Sequence, residues 1–338
     1  MGVLTKSDFK VARTCATKLY YRKLRYPTVT EGNEYMEFLA DGGYMVETLA
    51  RLHFPHGHEM PFGAGTTDAT LKTKEAFNSE DASLFEATFA HESLMARVDI
   101  LARHENSARI IEVKAKSIDT SKDLDATFSS KNGIRPEWRP YLEDVAFQVI
   151  VLRKCYPQIN FKPELCLVDK SKTTNMNLLH RHFVFKADEL DSGFLKRPEV
   201  AFVGDPEAAL QSSFLSFVDV SKWVEDLIPE LELAIESFTL ELDCGRNKAV
   251  PSVGTHCKSC EFRVQAPQKS GFAECWGEMA SVSPHVLDYY QVGNIGGRGA
   301  PLIHTLLAQG KAKLADVPED ALITTKGEIG ATAQRQRI

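Results

Sequence analysis

Apolar and polar residues alternate with a period of two along 94–104, LMARVDILARH. Leu94, Ala96, Val98 and Ile100 fall on one side, and Met95, Arg97 and Asp99 on the other. That is the pattern of a half-buried strand. A second strand is predicted through 110–114, where Ile111 and Val113 point one way and Ile110, Glu112 and Lys114 the other. The polar run His104-Glu105-Asn106-Ser107 between them suits a hairpin. Side chains two apart share a face, so Glu112 and Lys114 lie side by side, and Asp99 joins them if the hairpin pairs as written.

Around this hairpin the pattern predicts further elements. From Thr5 through KVARTCATKLYYRKL a single helix is expected, capped by Thr5 or Ser7, with Cys15 inside it. Its apolar stripe is Phe9, Ala12, Ala16, Leu19 and Tyr20. A helical region follows over 34–53, in which Gly42-Gly43 allows close packing against the sheet. The glycines and prolines of 53–66 predict a loop lining a cleft; its His53, His56 and His58 lack a partner at metal-ligand spacing. A helix near 68–80 and a strand near 84–90 lead into the hairpin. After it, 117–140 is polar and irregular, with Lys122, Lys131, Arg135, Arg139 and Trp138. This stretch reads equally as a substrate-binding flap or a solvated loop.

Residues 141–154 predict a strong helix whose core face is Leu142, Val145, Ala146, Val149 and Leu152, with Gln148 beside it. Strands are expected at 164–168, 181–185 and 214–218, the first ending in an Asp169-Lys170-Ser171 turn. A long helix is expected over 221–242, kinked or broken by Pro229. Beyond 281 the chain changes character. HVLDYYQVG reads as helical, NIGGRGAP as a linker, PLIHTLLAQG as a short helix and KLADVPED as the start of a small helical motif. This tail is expected to lead to a further domain or a protein partner.

At 338 residues, 43% hydrophobic and 25% charged, the chain has the composition of a globular protein with one large core or two smaller ones. A net charge of −6 excludes a global basic field, so any DNA contact must use a local cleft. No apolar run reaches membrane-spanning length and MGVLTKSDFK lacks a signal peptide's apolar core, so the expected location is cytoplasmic. The seven cysteines form no repeating frame, which favours metal ligands and buried thiols over a disulfide scaffold. Cys155, Cys166 and Cys244 read as structural thiols. Cys257 and Cys260 form a Cys-x-x-Cys pair and Cys275 follows. Such a pair delivers two thiolates to one metal from a single turn. His256 or the distant Cys15 is the candidate fourth ligand.

Two carboxylates a few ångströms apart are hard to desolvate unless a cation lies between them. A metal at Asp99 and Glu112 would polarise a phosphate and acidify a water, with Lys114 beside it. The bland alternative is a solvated hairpin with an ordinary Glu/Lys pair. Asp99 followed by Glu112-Val113-Lys114 resembles the PD-(D/E)XK nuclease superfamily. Glu47, four residues beyond Gly43, resembles the first RecB-type motif, where many relatives carry histidine. Gln148 fits the Gln-x-x-x-Tyr signature of RecB-type nucleases; Leu152 replaces its tyrosine, Tyr156 is a candidate to stand in for it, and the position stays open. The split set of Cys15 with Cys257, Cys260 and Cys275 is similar to the iron–sulfur RecB-like nucleases, which include the CRISPR adaptation nuclease and AddB-type domains.

The resemblance implies an α/β fold, a PD-(D/E)XK-like mixed central sheet flanked by helices, with a cysteine-bound metal lobe. Residues 1–280 would form the nuclease domain and 281–338 a helical tail or linker. It implies a metal-dependent deoxyribonuclease acting on single-stranded DNA or DNA ends. Mg²⁺ or Mn²⁺ would be held by Asp99 and Glu112, aided by Glu47. Lys114 would position the attacking water, and Gln148 would contact substrate or hold its helix. A [4Fe–4S] cluster would sit on Cys15, Cys257, Cys260 and Cys275, with zinc as the alternative. The rival function is a catalytically inactive module that binds nucleic acid or a partner on the same fold.

Overall fold

A two-residue strand, β1 (Leu4–Thr5), opens the chain and α1 (Lys6–Thr14) follows at once. Thr5 caps α1: its Oγ1 accepts the Asp8 N–H at 3.1 Å, while the Asp8 carboxylate accepts from the Thr5 N–H and hydroxyl. The predicted single helix is two. Cys15 adopts extended backbone (φ −170°, ψ 118°) and α2 (Ala16–Lys23) starts after it. Thr14, Cys15 and Thr17 are weak helix formers, and the break falls where the chain passes from the first compact unit to the second. The computed structural model describes residues 2–29, 34–61, 66–186, 198–243, 248–265, 267–289, 301–318 and 321. Cys244 and the RQRI end lie outside them.

The chain forms two compact units, one of Met1–Arg13 with Glu34–Gly245 and one of Thr14–Asn33 with Arg246–Ile338. The first contains α3 (Glu34–Leu52), β2 (His58–Glu59), α4 (Thr66–Phe77), β3 (Asp81–His91), β4 (Leu94–His104) and β5 (Ser107–Ile118). It continues through α5 (Leu124–Phe128), β6 (Ser129–Ser130), β7 (Gly133–Ile134), α6 (Arg139–Cys155) and β8 (Asn160–Asp169). It is completed by β9 (Phe183–Lys186), β10 (Glu199–Phe202), α7 (Pro206–Gln211), β11 (Leu215–Asp219) and α8 (Ser221–Asp243). Pro229 lies inside α8, which runs through it unbroken.

Seven strands make one mixed sheet in the order β11-β8-β5-β4-β3-β2, with β1 paired to β4. The hairpin β4–β5 is antiparallel from Ile100↔Ile111 to His104↔Ser107, and β5–β8 is parallel. Ile111 and Val113 pack with Leu49 and Ala50 of α3, while Glu112 faces α6 on the other side. Helix α6 is buried along its whole middle, from Leu142 to Leu152. Its Phe147 stacks on Phe9 of α1 at 4.9 Å. The region 117–140 is largely pinned: Trp138 is buried against Phe128, and Arg139 pairs with Glu143 and Glu230.

Gly42 and Gly43 do not serve close packing. A Cβ at either position would meet nothing within 4 Å. Gly42→Ala is therefore expected to stabilise α3 by about 0.5–1 kcal/mol, from helix propensity and a less flexible unfolded chain. A thermal melt should show the midpoint rising by about 2–4 °C.

In the second unit the cysteine segment and residues from 282 onward share one core. Cys257, Phe272 and Trp276 of α9 (Gly271–Trp276) pack with Val286, Leu287 and Tyr289, and with Ile303, Leu306 and Leu307 of α10 (Pro301–Ala308). Among the described residues no helix is long and apolar enough to cross a membrane.

Candidate functional site

A fork in the sheet builds the first site. Pairing of β4 with β5 stops at Ile100↔Ile111, and β1 takes up the same edge of β4 at Leu94 and Met95. Between these contacts the Asp99 side chain stands in for a ladder acceptor: its Oδ2 accepts the Val113 N–H at 2.9 Å. Beyond Lys114 the β5–β8 register shifts, an irregularity that leaves Ala115 and Lys116 unpaired with β8. Such bulges re-aim neighbouring side chains. The result is an open cleft of about 400 Å³ lined by Lys6, Glu47, Asp99, Glu112, Lys114 and Asp144, among others.

Glu112 is the hub, with a side chain only 1% exposed. Its Oε1 accepts from Lys114 Nζ at 2.5 Å and from Lys6 Nζ at 3.0 Å. Its Oε2 accepts from Lys6 Nζ at 2.8 Å and from Gln148 Nε2. Lys6 Nζ also lies 4.0 Å from Asp99 Oδ1, and Lys114 Nζ lies 3.6 Å from Asp144 Oδ2. Burial alone would raise the Glu112 pKa, but Lys114 and Lys6 outweigh it and hold the carboxyl well below its usual range. Asp99 goes the other way. Burial first, then the Glu112 charge, push it up to about 7. Burial works against the charge of both lysines, yet the carboxylates prevail and raise them: Glu112 and Asp99 for each, with Asp144 adding to Lys114.

The hairpin thus brings Asp99, Glu112 and Lys114 together as the alternation predicts, and Gln148 reaches them from α6. The Gln148 Oε1 is buried with no hydrogen-bond partner among the described residues. Glu47 lines the cleft but bonds Arg51 one helical turn away at 2.8 Å. Tyr156 does not take the tyrosine's place; it packs between Phe77 and Phe89. The loop at 53–61 lies elsewhere: His53 packs on Phe217 and bonds Ser213, and Glu59, Met60 and Pro61 line a different cavity.

Two site residues escaped the sequence reading. Asp144 stands four residues before Gln148, hence on the same helical face, and that spacing was its available signal. Lys6 had a weaker one. Lys6, Lys10 and Arg13 form a basic stripe on α1, which the structure pairs with Glu112, Asp144 and Glu143 respectively.

The second site is wholly within the second unit. Cys15, Cys257, Cys260 and Cys275 all line one small enclosed pocket with Tyr21, His256 and Trp276. None of the four is in a disulfide. The Tyr21 hydroxyl lies 3.1 Å from Cys275 Sγ, and His256 Nε2 lies 3.5 Å from Cys257 Sγ. Trp276 Nε1 is buried beside the Cys257 thiol and acts on it as a donor that favours the thiolate. Burial pushes up the thiols of Cys257 and Cys275, and that of Cys260 to about 11. A bound cation would reverse this by coordinating the thiolates. The free volume, about 20 Å³, is close to what one water needs.

The donor sets of the two sites differ in kind, oxygen in the first and sulfur in the second. Among the described residues, neither set nor any other three or more His, Cys, Asp and Glu side chains are gathered as a preformed metal-ion site. Comparison with models of known protein families and with curated proteins yields no match.

Proposed function

We propose that the chain is a metal-dependent nuclease that hydrolyses DNA phosphodiesters, on a PD-(D/E)XK-like fold with a cysteine-bound metal lobe. The observation that carries this reading is the convergence of Asp99, Glu112 and Lys114 at a fork in the sheet, inside a cleft open to a chain-like substrate. Asp99 and Glu112, with Glu47 at the rim, are the oxygen donors that would hold Mg²⁺ or Mn²⁺. Such an ion supplies phosphate polarisation and a water of lowered pKa. Lys114, held by Glu112 and Asp144, orients the attacking water and offsets charge developing on the phosphate. Gln148 fixes the Glu112 carboxylate. The acidic net charge confines substrate contact to the cleft, and single strands or DNA ends are the substrate that the family resemblance implies.

The test is cleavage of labelled single- and double-stranded DNA with Mg²⁺ or Mn²⁺. Wild type is expected to cut, and Asp99→Ala and Lys114→Ala to lose cutting. Both oxygens of Glu112 are already taken up by ammoniums and an amide, which favours a second reading, an inactive binding module. That module would bind DNA and cut nothing. Cleavage unaffected by either substitution would place the chemistry elsewhere.

For the cysteine pocket, the thiol-only set suits a [4Fe–4S] cluster, while the small free volume favours a single zinc ion with the side chains where they stand. Either would be architectural within its unit. Protein purified without oxygen is expected to absorb broadly near roughly 400 nm if iron–sulfur, and to lose that band in Cys15→Ala. Colourless protein containing zinc would reject the cluster and leave the nuclease reading untouched.

A further inference from the structure

Lys6 is not a surface lysine that happens to reach inward. Its backbone follows directly on β1, which is locked to the edge of β4 by Leu4↔Leu94 pairing and by the Leu4 N–H on the Ser93 carbonyl at 2.7 Å. One helical turn later, Phe9 anchors the same segment on Phe147. The Lys6 side chain is four-fifths buried, and both Glu112 oxygens and one Asp99 oxygen lie within 4.0 Å of its ammonium. Those are the atoms that the proposed function assigns to a divalent cation.

The charge already held at these atoms rules out simple addition of an ion. The cleft is lined by four carboxylates, Glu47, Asp99, Glu112 and Asp144, and three ammoniums, Lys6, Lys10 and Lys114, of which Lys6 and Lys114 already sit on the Glu112 oxygens. Adding a doubly charged ion at the same atoms would leave a buried excess of positive charge, which is strongly unfavourable at these separations. One ammonium must leave. Lys114 is tied down from both sides: it sits two residues from Glu112 on the same strand and also faces Asp144 at 3.6 Å. Lys6 comes from a separate segment, and its charge partner besides Glu112 is Asp99, the other proposed ligand. We propose that Lys6 is the resident counter-ion of the Asp99–Glu112 pair, and that a divalent cation binds by displacing its ammonium. Resting on the metal reading of the cleft, this makes the amino-terminal strand and helix a built-in competitor for the cation.

The experiment is a Mn²⁺ titration of the full chain as wild type, Lys6→Met and Asp99→Asn, with melting temperatures in chelator and in saturating Mn²⁺. Lys6→Met is expected to bind Mn²⁺ at least about tenfold more tightly, because the competing charge is gone. It should also melt below wild type in chelator and recover with Mn²⁺. Loss of binding in Asp99→Asn locates the ion. Unchanged or weaker affinity in Lys6→Met, with wild-type binding still abolished by Asp99→Asn, overturns the displacement while leaving the metal site standing. Absence of Mn²⁺ binding from both wild type and Lys6→Met overturns the metal reading and this inference together. Should Lys6→Met fail to fold in chelator, folding restored by Mn²⁺ supports the proposal, and failure to fold in Mn²⁺ as well opposes it. Lys6→Gln, which keeps a polar tip without charge, must show the same tightening.

Discussion

Glu112→Gln is expected to cost about 3 kcal/mol of stability in the first unit and to abolish the proposed metal-dependent cleavage. The stability figure comes from the groups that the substitution strands. Two ammoniums and an amide N–H converge on one carboxylate, and glutamine keeps one acceptor while adding donors. Stripping the anion from a buried ion pair costs about 3–5 kcal/mol. The lower end applies, because the side chains of Lys6 and Lys114 remain 20% and 23% exposed and keep Asp99 and Asp144 nearby. Urea unfolding followed by tryptophan fluorescence in a Trp276→Phe background, which leaves Trp138 and Trp223 buried against Phe128, reports on this unit. A shift below about 1 kcal/mol would mean that solvent already screens the lysines and that Glu112 is not the hub. Cleavage by this variant at the wild-type rate would remove Glu112 from the chemistry.

How far the site could be read from the sequence depended on the range of the contacts involved. Asp99, Glu112 and Lys114 were legible because a hairpin is local: its alternation fixes which side chains share a face. The apolar stripe of α6 marked the helix, and Gln148 on it was singled out only by the family signature it resembles. The periodicities supplied individual strands and helices, whereas the mixed sheet flanked by helices was implied by the family resemblance of the motifs. Lys6 was not legible, since β1 is two residues long and finds its partner some 90 positions later, at Leu94. No local pattern encodes that pairing, and without it Lys6 reads as an exposed first-turn residue. The break at Cys15 was hidden in another way, since the apolar stripe from Phe9 through Ala12, Ala16 and Leu19 runs across it. Glycine misled in a different way. Gly42 and Gly43 suggested close packing, and the structure shows open space around both, so composition alone did not reveal the neighbour that was supposed to require them.

Asp169 gives the fold an acid-side pH dependence of its own outside the cleft. The sequence marks it only as a turn residue after β8. In the fold it is 1% exposed and ties three strands together. Its Oδ1 accepts from the Thr120 and Ser171 N–H groups and from the Ser171 hydroxyl; its Oδ2 accepts from the hydroxyls of Thr120 and of Ser216 in β11. Burial would raise its pKa, but the donors of Ser216, Thr120 and Ser171 outweigh it and hold the carboxyl well below the usual range. The folded pKa therefore lies under the unfolded value of about 3.9. Such a group binds its proton more readily in the unfolded chain. Its stabilisation is complete above the unfolded pKa and is lost as pH falls through the folded one. Asp169→Asn replaces an acceptor by an amide donor facing donors, and should cost about 3 kcal/mol at pH 7. The gap between wild type and variant should stay constant from pH 7 to 5 and narrow below about pH 4. Urea unfolding across that range measures it. A gap that widens on acidification would reverse the sign and show that Asp169 is stabilised in its protonated form.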